Sequence, residues 1–211
     1  MNPVDVINFI VTKYNLNSNG PLPIEIPNIG RDDLPELFIE LGYTEGAEIG
    51  VQQGEYSEVL ASAGLKIHAV DPWRTFRGYR EHVTQAKLDG FYAEARARLA
   101  PYDVTIHKKT SEAAALGFWD NVLDFVYIDG NHSFLHVTQD IAFWSRVVKP
   151  GGIIAGHDYI RRSQPTGTHV VEVVNAYTRA MGIKPWFVLG RRQKIDGEIR
   201  DKSRSWMWVN G

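Results

Sequence analysis

Hydrophobic positions along the chain fall into two alternating rhythms. VDVINFIVTKY and DLPELFIELGY repeat apolar residues at intervals of three and four, which is one face of a helix, and Asp32 or Asp33 is placed to cap the second. Between them NSNGPLPIEIPNIG is rich in Asn, Gly and Pro and reads as a loop. Short apolar runs follow: GAEIGV, KIHAVDPW, VTIHKKT, LDFVYIDG and GGIIAGHDY. Helical stretches separate most of them, namely EYSEVLASAG, GYREHVTQAKLDGFYAEARARLA, SEAAALGF and FLHVTQDIAFWSRVV. Strands that alternate with helices are joined by right-handed crossovers, so the pattern predicts a mostly parallel sheet covered on both faces.

The tail breaks that rhythm. HVVEVVNAYTRAMG has helical spacing, but KPWFVLG and SWMWVNG are strand-like runs joined by the charged segment RRQKIDGEIRDKSR. No helix of useful length fits between them, so they are expected to pair as an antiparallel hairpin. The fold class expected is α/β, a Rossmann-like three-layer sandwich. Its mostly parallel seven-stranded sheet would close with an antiparallel C-terminal hairpin strand. The 211 residues suit one domain, with residues 1–45 as a helical cap and 46–211 as the α/β core.

Composition narrows the classes. There is no cysteine, which removes disulfides, thiolate metal sites and cysteine nucleophiles and fits a cytoplasmic location. No run of about 18 apolar residues appears, and MNPVDVINFIVTKYNL lacks the signal-peptide pattern, so no membrane association is expected. The net charge of -2 hides an asymmetry: Arg161 to Gly211 holds ten Lys or Arg against four Asp or Glu. Arg161, Arg162, Arg191 and Arg192 could meet a phosphate or sugar nucleotide, although surface solvation explains them as well. No aromatic-interleaved basic face marks nucleic-acid binding. Trp73, Trp186, Trp206 and Trp208 are expected in core and rim packing rather than as a sugar platform, and SWMWV is a candidate homo-oligomer contact.

Open α/β sheets bind ligands beyond the carboxyl ends of their strands, so the residues ending each run carry the candidate chemistry. EIGVQQGEYS places Gly50 and Gly54 around Gln52. Glycines there let the backbone pass close to a ligand while the next helix presents free amides. A tight turn needing glycine for packing competes when the loop is taken alone. The dinucleotide pattern GxGxxG is not met, which weighs against a nicotinamide or flavin site. Asp71 ends the next run about twenty residues on, where an acid can accept two ribose hydroxyls, or can simply face solvent before Pro72. Thr110-Ser111-Glu112 can cap a helix and meet a base edge, and capping alone accounts for it.

DFVYIDG is apolar up to Asp129 and runs into Asn131-His132-Ser133-Phe134, while VVKPGGIIAG ends at His157-Asp158-Tyr159. Carboxylates and imidazoles converging at one sheet edge suit a divalent cation. They equally suit a general base beside a substrate hydroxyl. Satisfaction by loop amides explains one polar strand end more readily than the same coincidence on two.

EIGVQQGEYS, AVDPW, FVYIDGNHSF, VVKPGGIIAGHDY and the terminal hairpin together resemble a class I S-adenosylmethionine-dependent methyltransferase. The resemblance runs from about Leu34 to Gly211 and is greatest to the small bacterial group of macrolide and aminocoumarin sugar O-methyltransferases. It implies S-adenosyl-L-methionine as cofactor, with Glu48, Gly50, Gln52 and Gly54 by its methionine and ribose, Asp71 on the ribose hydroxyls, and Ser111 or Glu112 by the adenine. Asp129 would touch the cofactor and serve the chemistry. In the cation-dependent members an acid ends one strand and a pair of acids or amides ends the next. Asp129 and Asp158 match that pattern, and His157 stands where an acid is usual, which makes an Asp129–His157–Asp158 site for Mg2+ or Mn2+ more nitrogen-rich. His132 and His157 are the candidate bases. The acceptor implied is a small-molecule hydroxyl, anionic or glycosylated. Two other readings stay open: a nicotinamide-dependent oxidoreductase on a similar sheet, and a non-catalytic binding module that has kept the fold.

Overall fold

In the computed structural model, which describes residues 1–75, 83–161 and 167–211, the two rhythms become two kinds of layer. α1 (Pro3–Lys13) starts where the Asn2 side chain accepts the Asp5 amide and Pro3 fills the first turn, so a terminal donor is satisfied and none is wasted. Its Val6 and Ile10 are buried against the sheet. β1 (Ile24–Ile26), a 3-10 turn at Arg31–Asp33 and α2 (Leu34–Glu40) follow. Asp33 accepts the Gly30 amide, so its carboxylate closes the turn rather than capping α2.

The core then alternates β2 (Glu45–Ile49), α3 (Glu55–Ser62), β3 (Lys66–Val70), α4 (Gln85–Leu99), β4 (Val104–His107) and α5 (Ser111–Ala115). It continues through β5 (Leu123–Ile128), α6 (Phe134–Val147), β6 (Val148–Gly156), α7 (Val170–Ala180), β7 (Phe187–Leu189) and β8 (Trp206–Val209). α4 begins after Thr84, whose hydroxyl accepts the Lys87 amide, and residues 76–82 of the expected longer helix lie outside the described residues.

The sheet order is β1-β7-β8-β6-β5-β2-β3-β4. β2 to β6 run parallel, and β8 lies antiparallel between β6 and β7. The expected hairpin is present, with its second strand inserted between the first and the rest of the sheet. The segment expected to be a loop supplies an eighth strand, β1, parallel to β7 at the edge. Prolines and glycines around IEI hide it in the sequence. It is held because Ile24 and Ile26 are buried while Glu25 between them pairs with Arg191 and with Arg204 at 2.8 Å. All six residues of β5 are buried, the continuous apolar run that two covering layers require.

Phe38, Phe125 and Tyr127 pack on one face of the sheet, and Trp144, Trp206 and Trp208 on the other. Trp73, Trp186, Trp206 and Trp208 are all buried, so they serve packing as expected. No helix among the described residues is long and apolar enough to cross a membrane. The parallel strands deliver the loops after β2, β3, β5 and β6 to one edge, where the candidate chemistry collects.

Candidate active site at the sheet edge

The β2–α3 loop is shaped by close packing. Gly50 has φ +92°, and a Cβ there would lie 2.3 Å from the Asp129 carbonyl oxygen and 2.6 Å from the Gly130 Cα. Glycine therefore lets the ends of β2 and β5 sit side by side. Gly54, at φ +80°, is explained by α4, because its Cβ would meet Leu99 and Ala95 at 3.2 and 3.3 Å. Gln52 takes φ +49° and donates its amide to Asp71 Oδ2 at 3.0 Å. Asp71 Oδ1 accepts the Trp73 amide at 2.7 Å, and the Trp73 indole N–H donates to the Gln52 carbonyl at 2.7 Å. Burial raises the Asp71 carboxyl, and the amides of Gln52, Trp73 and Val51 pull it back.

Beneath this loop Glu48 is buried and accepts the Ser57 hydroxyl of α3. Burial pushes its carboxyl up to about 8, against the pull of Ser57, so it is protonated at neutral pH. After β4, Thr110 caps α5 by accepting the Ala113 amide. Ser111 is turned inward: its hydroxyl accepts the Trp144 indole N–H at 2.9 Å and bonds to Asp140. Glu112 is exposed. Asp140 is a buried carboxylate that sequence reasoning missed, and burial raises it to about 6. Its signal was present: in FLHVTQDIAFW it falls at helical spacing on the same face as Val137, Ile141 and Trp144, all buried.

The ends of β5 and β6 bring side chains face to face. His132 Nε2 lies 3.3 Å from Asp129 Oδ1, and its Nδ1 lies 3.1 Å from Asp158 Oδ2. Asp129, His132 and Asp158 each offer a ligand atom, all within 4.8 Å of one another. The sequence pointed to Asp129, His157 and Asp158 as the cation set. In the structure the imidazole that stands between Asp129 and Asp158 is that of His132, with one ring nitrogen toward each carboxylate. His157 stands beside this group, its Nδ1 3.6 Å from Asp129 Oδ2 and its Nε2 4.0 Å from Asp201 Oδ2. Its carbonyl is fixed by the Trp206 indole at 3.2 Å. Ile128, His132, Val137, His157, Val170 and Trp206 line a narrow crevice alongside.

Two further side chains, Arg31 and Asp201, arrive from outside the core motifs. Arg31 Nη1 reaches Asp129 Oδ2 at 3.5 Å. Neither carries a signal of its own in the sequence, since both lie in polar segments far along the chain from the strand ends they face. Of the arginines considered for an anionic acceptor, Arg191 is committed to Glu25 and Glu198, and Arg161 is largely exposed near Glu172. Arg162 lies outside the described residues.

A family model described as a methyltransferase domain matches residues 47–159, which contain the β2 loop, Asp71, Asp129, His132, His157 and Asp158. The chain belongs to this methyltransferase family. Solved structures share the architecture. Cofactor-bound Rv0187 from MTB superposes with a TM-score of 0.62 at 14% identity, over 100% of this chain and 98% of that one. An O-methyltransferase from Bacillus cereus in complex with SAH gives 0.58 at 16%, over 98% and 89%. TomG from Streptomyces achromogenes, an O-methyltransferase of tomaymycin synthesis in complex with SAM, gives 0.59 at 16%, over 86% and 79%. At these identities the likeness speaks for the fold. A comparison with proteins of curated function finds no match.

The donor set of this methyltransferase fits an S-adenosyl group. A carboxylate oriented by main-chain amides can take a diol, and no side chain caps the first amides of α3 among the described residues. One imidazole and two carboxylates also fit a divalent cation, Mn2+ better than Mg2+.

Proposed function

We propose that the chain transfers a methyl group from S-adenosyl-L-methionine to a hydroxyl of a small molecule, with a divalent cation at Asp129, His132 and Asp158. The observation that carries this reading is the juxtaposition at one sheet edge of an amide-fixed Asp71 beside β2 and a cation-ready group at the ends of β5 and β6. When bound, the cofactor supplies an electrophilic methyl group, so the protein's tasks are alignment and a more nucleophilic acceptor oxygen. Asp71 takes the ribose hydroxyls, and Gly50 keeps the loop against β5. Glu48, buried and neutral, buttresses the loop from below rather than adding charge. Glu112, exposed on the first turn of α5, would be the residue toward the adenine, since Ser111 is held inward by Trp144 and Asp140. A cation held by Asp129, His132 and Asp158 would lower the pKa of a coordinated hydroxyl. His157 stands beside that group, its Nδ1 3.6 Å from Asp129 Oδ2, and is the base that would take the acceptor proton.

Titration calorimetry with S-adenosylmethionine tests the cofactor half: wild type binds and Asp71→Ala binds at least about tenfold more weakly. Absence of binding by wild type would reject the reading, and an absorbance change with NADH would replace it by an oxidoreductase. The cation half is tested by methyl transfer to a panel of sugar and natural-product hydroxyls before and after chelation. Activity should fall on chelation and return with Mn2+; full activity after exhaustive chelation removes the cation from the proposal.

A further inference from the structure

Arg31 is the one residue of the 3-10 turn that reaches the catalytic edge, and its approach is built. The Tyr56 hydroxyl, on the first turn of α3, donates to the Arg31 carbonyl at 2.8 Å, and the Tyr56 ring lies 4.9 Å from the guanidinium carbon. An aromatic face under a guanidinium adds a cation–π attraction and fixes its plane. The turn itself is locked by the Gly30 amide on Asp33 at 2.7 Å. Yet the guanidinium is not consumed by these contacts. It meets Asp129 Oδ2 at 3.5 Å, the outer limit of a hydrogen bond, and its Nε is 3.7 Å from the mostly exposed Asp32. About a third of the side chain faces solvent. A cation placed by an aromatic ring, loosely paired and open, beside an acid that still has reach, is complementary to a zwitterion.

Asp129 divides its oxygens in a way that leaves room for this. Oδ1 faces His132 and the cation group, while Oδ2 faces Arg31 and His157. Position along the edge matches as well. Asp71 follows β3, Asp129 follows β5, and β2 lies between them, so the two acids are separated by two strand spacings, about 10 Å. An extended chain from a ribose through a sulfonium to an α-amino acid spans such a gap.

We infer that Arg31 and Asp129 grip the α-amino acid end of the cofactor, the guanidinium holding the carboxylate and Asp129 Oδ2 the ammonium. This rests on the methyltransferase reading above. It gives the N-terminal segment a binding role, because Arg31 lies before the residues that the family model matches.

The experiment compares S-adenosylmethionine with its decarboxylated form, which keeps the ammonium and lacks the carboxylate. Binding of each is measured by calorimetry to wild type, Arg31→Met and Arg31→Lys. Wild type should prefer S-adenosylmethionine by about tenfold or more, the scale of a charge-assisted contact. Arg31→Met should bind the two alike, and its retained binding of the decarboxylated form also shows that the variant is folded. Arg31→Lys should restore part of the preference, since an ammonium keeps the charge without the fork. Equal binding of the two ligands by wild type, or an undiminished preference in Arg31→Met, overturns the assignment while leaving the methyltransferase reading standing. If wild type binds neither ligand, the methyltransferase reading falls and the assignment falls with it.

Discussion

The two halves of the candidate site are made by different means. Beside β2 and β3, Asp71 is fixed by main-chain amides at Gln52 and Trp73, and the Trp73 indole closes the ring on the Gln52 carbonyl. Beyond β5 and β6, side chains hold one another: Asp129, His132 and Asp158, with His157, Arg31 and Asp201 around them. The first half has its geometry before any ligand arrives, because peptide groups have few ways to turn. The second is a set of carboxylates that stays together only with protons, a guanidinium or a cation between them. One half is preset and the other adjustable, which is what a shared cofactor and a chain-specific acceptor would ask of them.

The comparison breaks first where the halves touch. Gly50 carries the seam, so Gly50→Ala meets both the left-handed backbone and a Cβ 2.3 Å from the Asp129 carbonyl. The expected cost is about 3 kcal/mol or more, read as a lowered melting temperature together with lost S-adenosylmethionine binding. A variant that melts with wild type would show that β2 and β5 can part cheaply. In the adjustable half, Asp158→Asn should leave the fold intact. Asn tolerates the φ of +57° that this position takes, and it retains one acceptor oxygen. Turnover should fall by about 10²- to 10⁴-fold with little change in cofactor affinity, measured by initial rates and calorimetry side by side. Parallel loss of both would place Asp158 in cofactor binding instead.

The same exchange in the preset half should behave differently. Both Asp71 oxygens accept main-chain N–H groups, so in Asp71→Asn an amide NH2 must face a donor. This variant should lose about 1–3 kcal/mol of stability by urea denaturation. It should also bind the cofactor roughly tenfold more weakly. If it is as stable as wild type, the amide ring is not what fixes the acid.

This difference also decides what the sequence could show. The alternation of apolar runs specified the parallel sheet, because covered strands must be apolar throughout, as β5 is. The hairpin was visible because a charged connection cannot form a crossover helix. Gly50, Gln52 and Asp71 drew attention by residue type at strand ends, although Gly50 is required by Asp129 and Gly130 far along the chain and Gln52 meets Asp71 across two strands. β1 was not legible, being three residues long, flanked by prolines, and stabilised by Arg191 and Arg204 far along the chain. Arg31 and Asp201 were hidden for the same reason. Which imidazole stands between Asp129 and Asp158 depends on the path of the loop after β5, which spacing cannot encode. Asp140 could have been found, as an acid on an apolar helix face.

Glu48 lies under the seam and offers the smallest test. Burial raises its carboxyl to about 8, so the folded state keeps a proton that the unfolded chain releases above its ordinary value of 4.5. The sign follows: its contribution is fully present below pH 4.5, declines as pH rises toward 8, and is lost above that. Glu48→Gln keeps the neutral shape and removes the ionisable proton, so its stability should fall less than that of wild type between pH 4.5 and about pH 8. Urea midpoints of the two proteins across that range measure the difference, which separates Glu48 from Asp71 and Asp140, whose carboxyls burial also raises. Parallel curves would mean that Glu48 is ionised in the fold. The charge beneath the Gly50 loop would then have to be balanced from above, and Arg31 is the cation placed to do it.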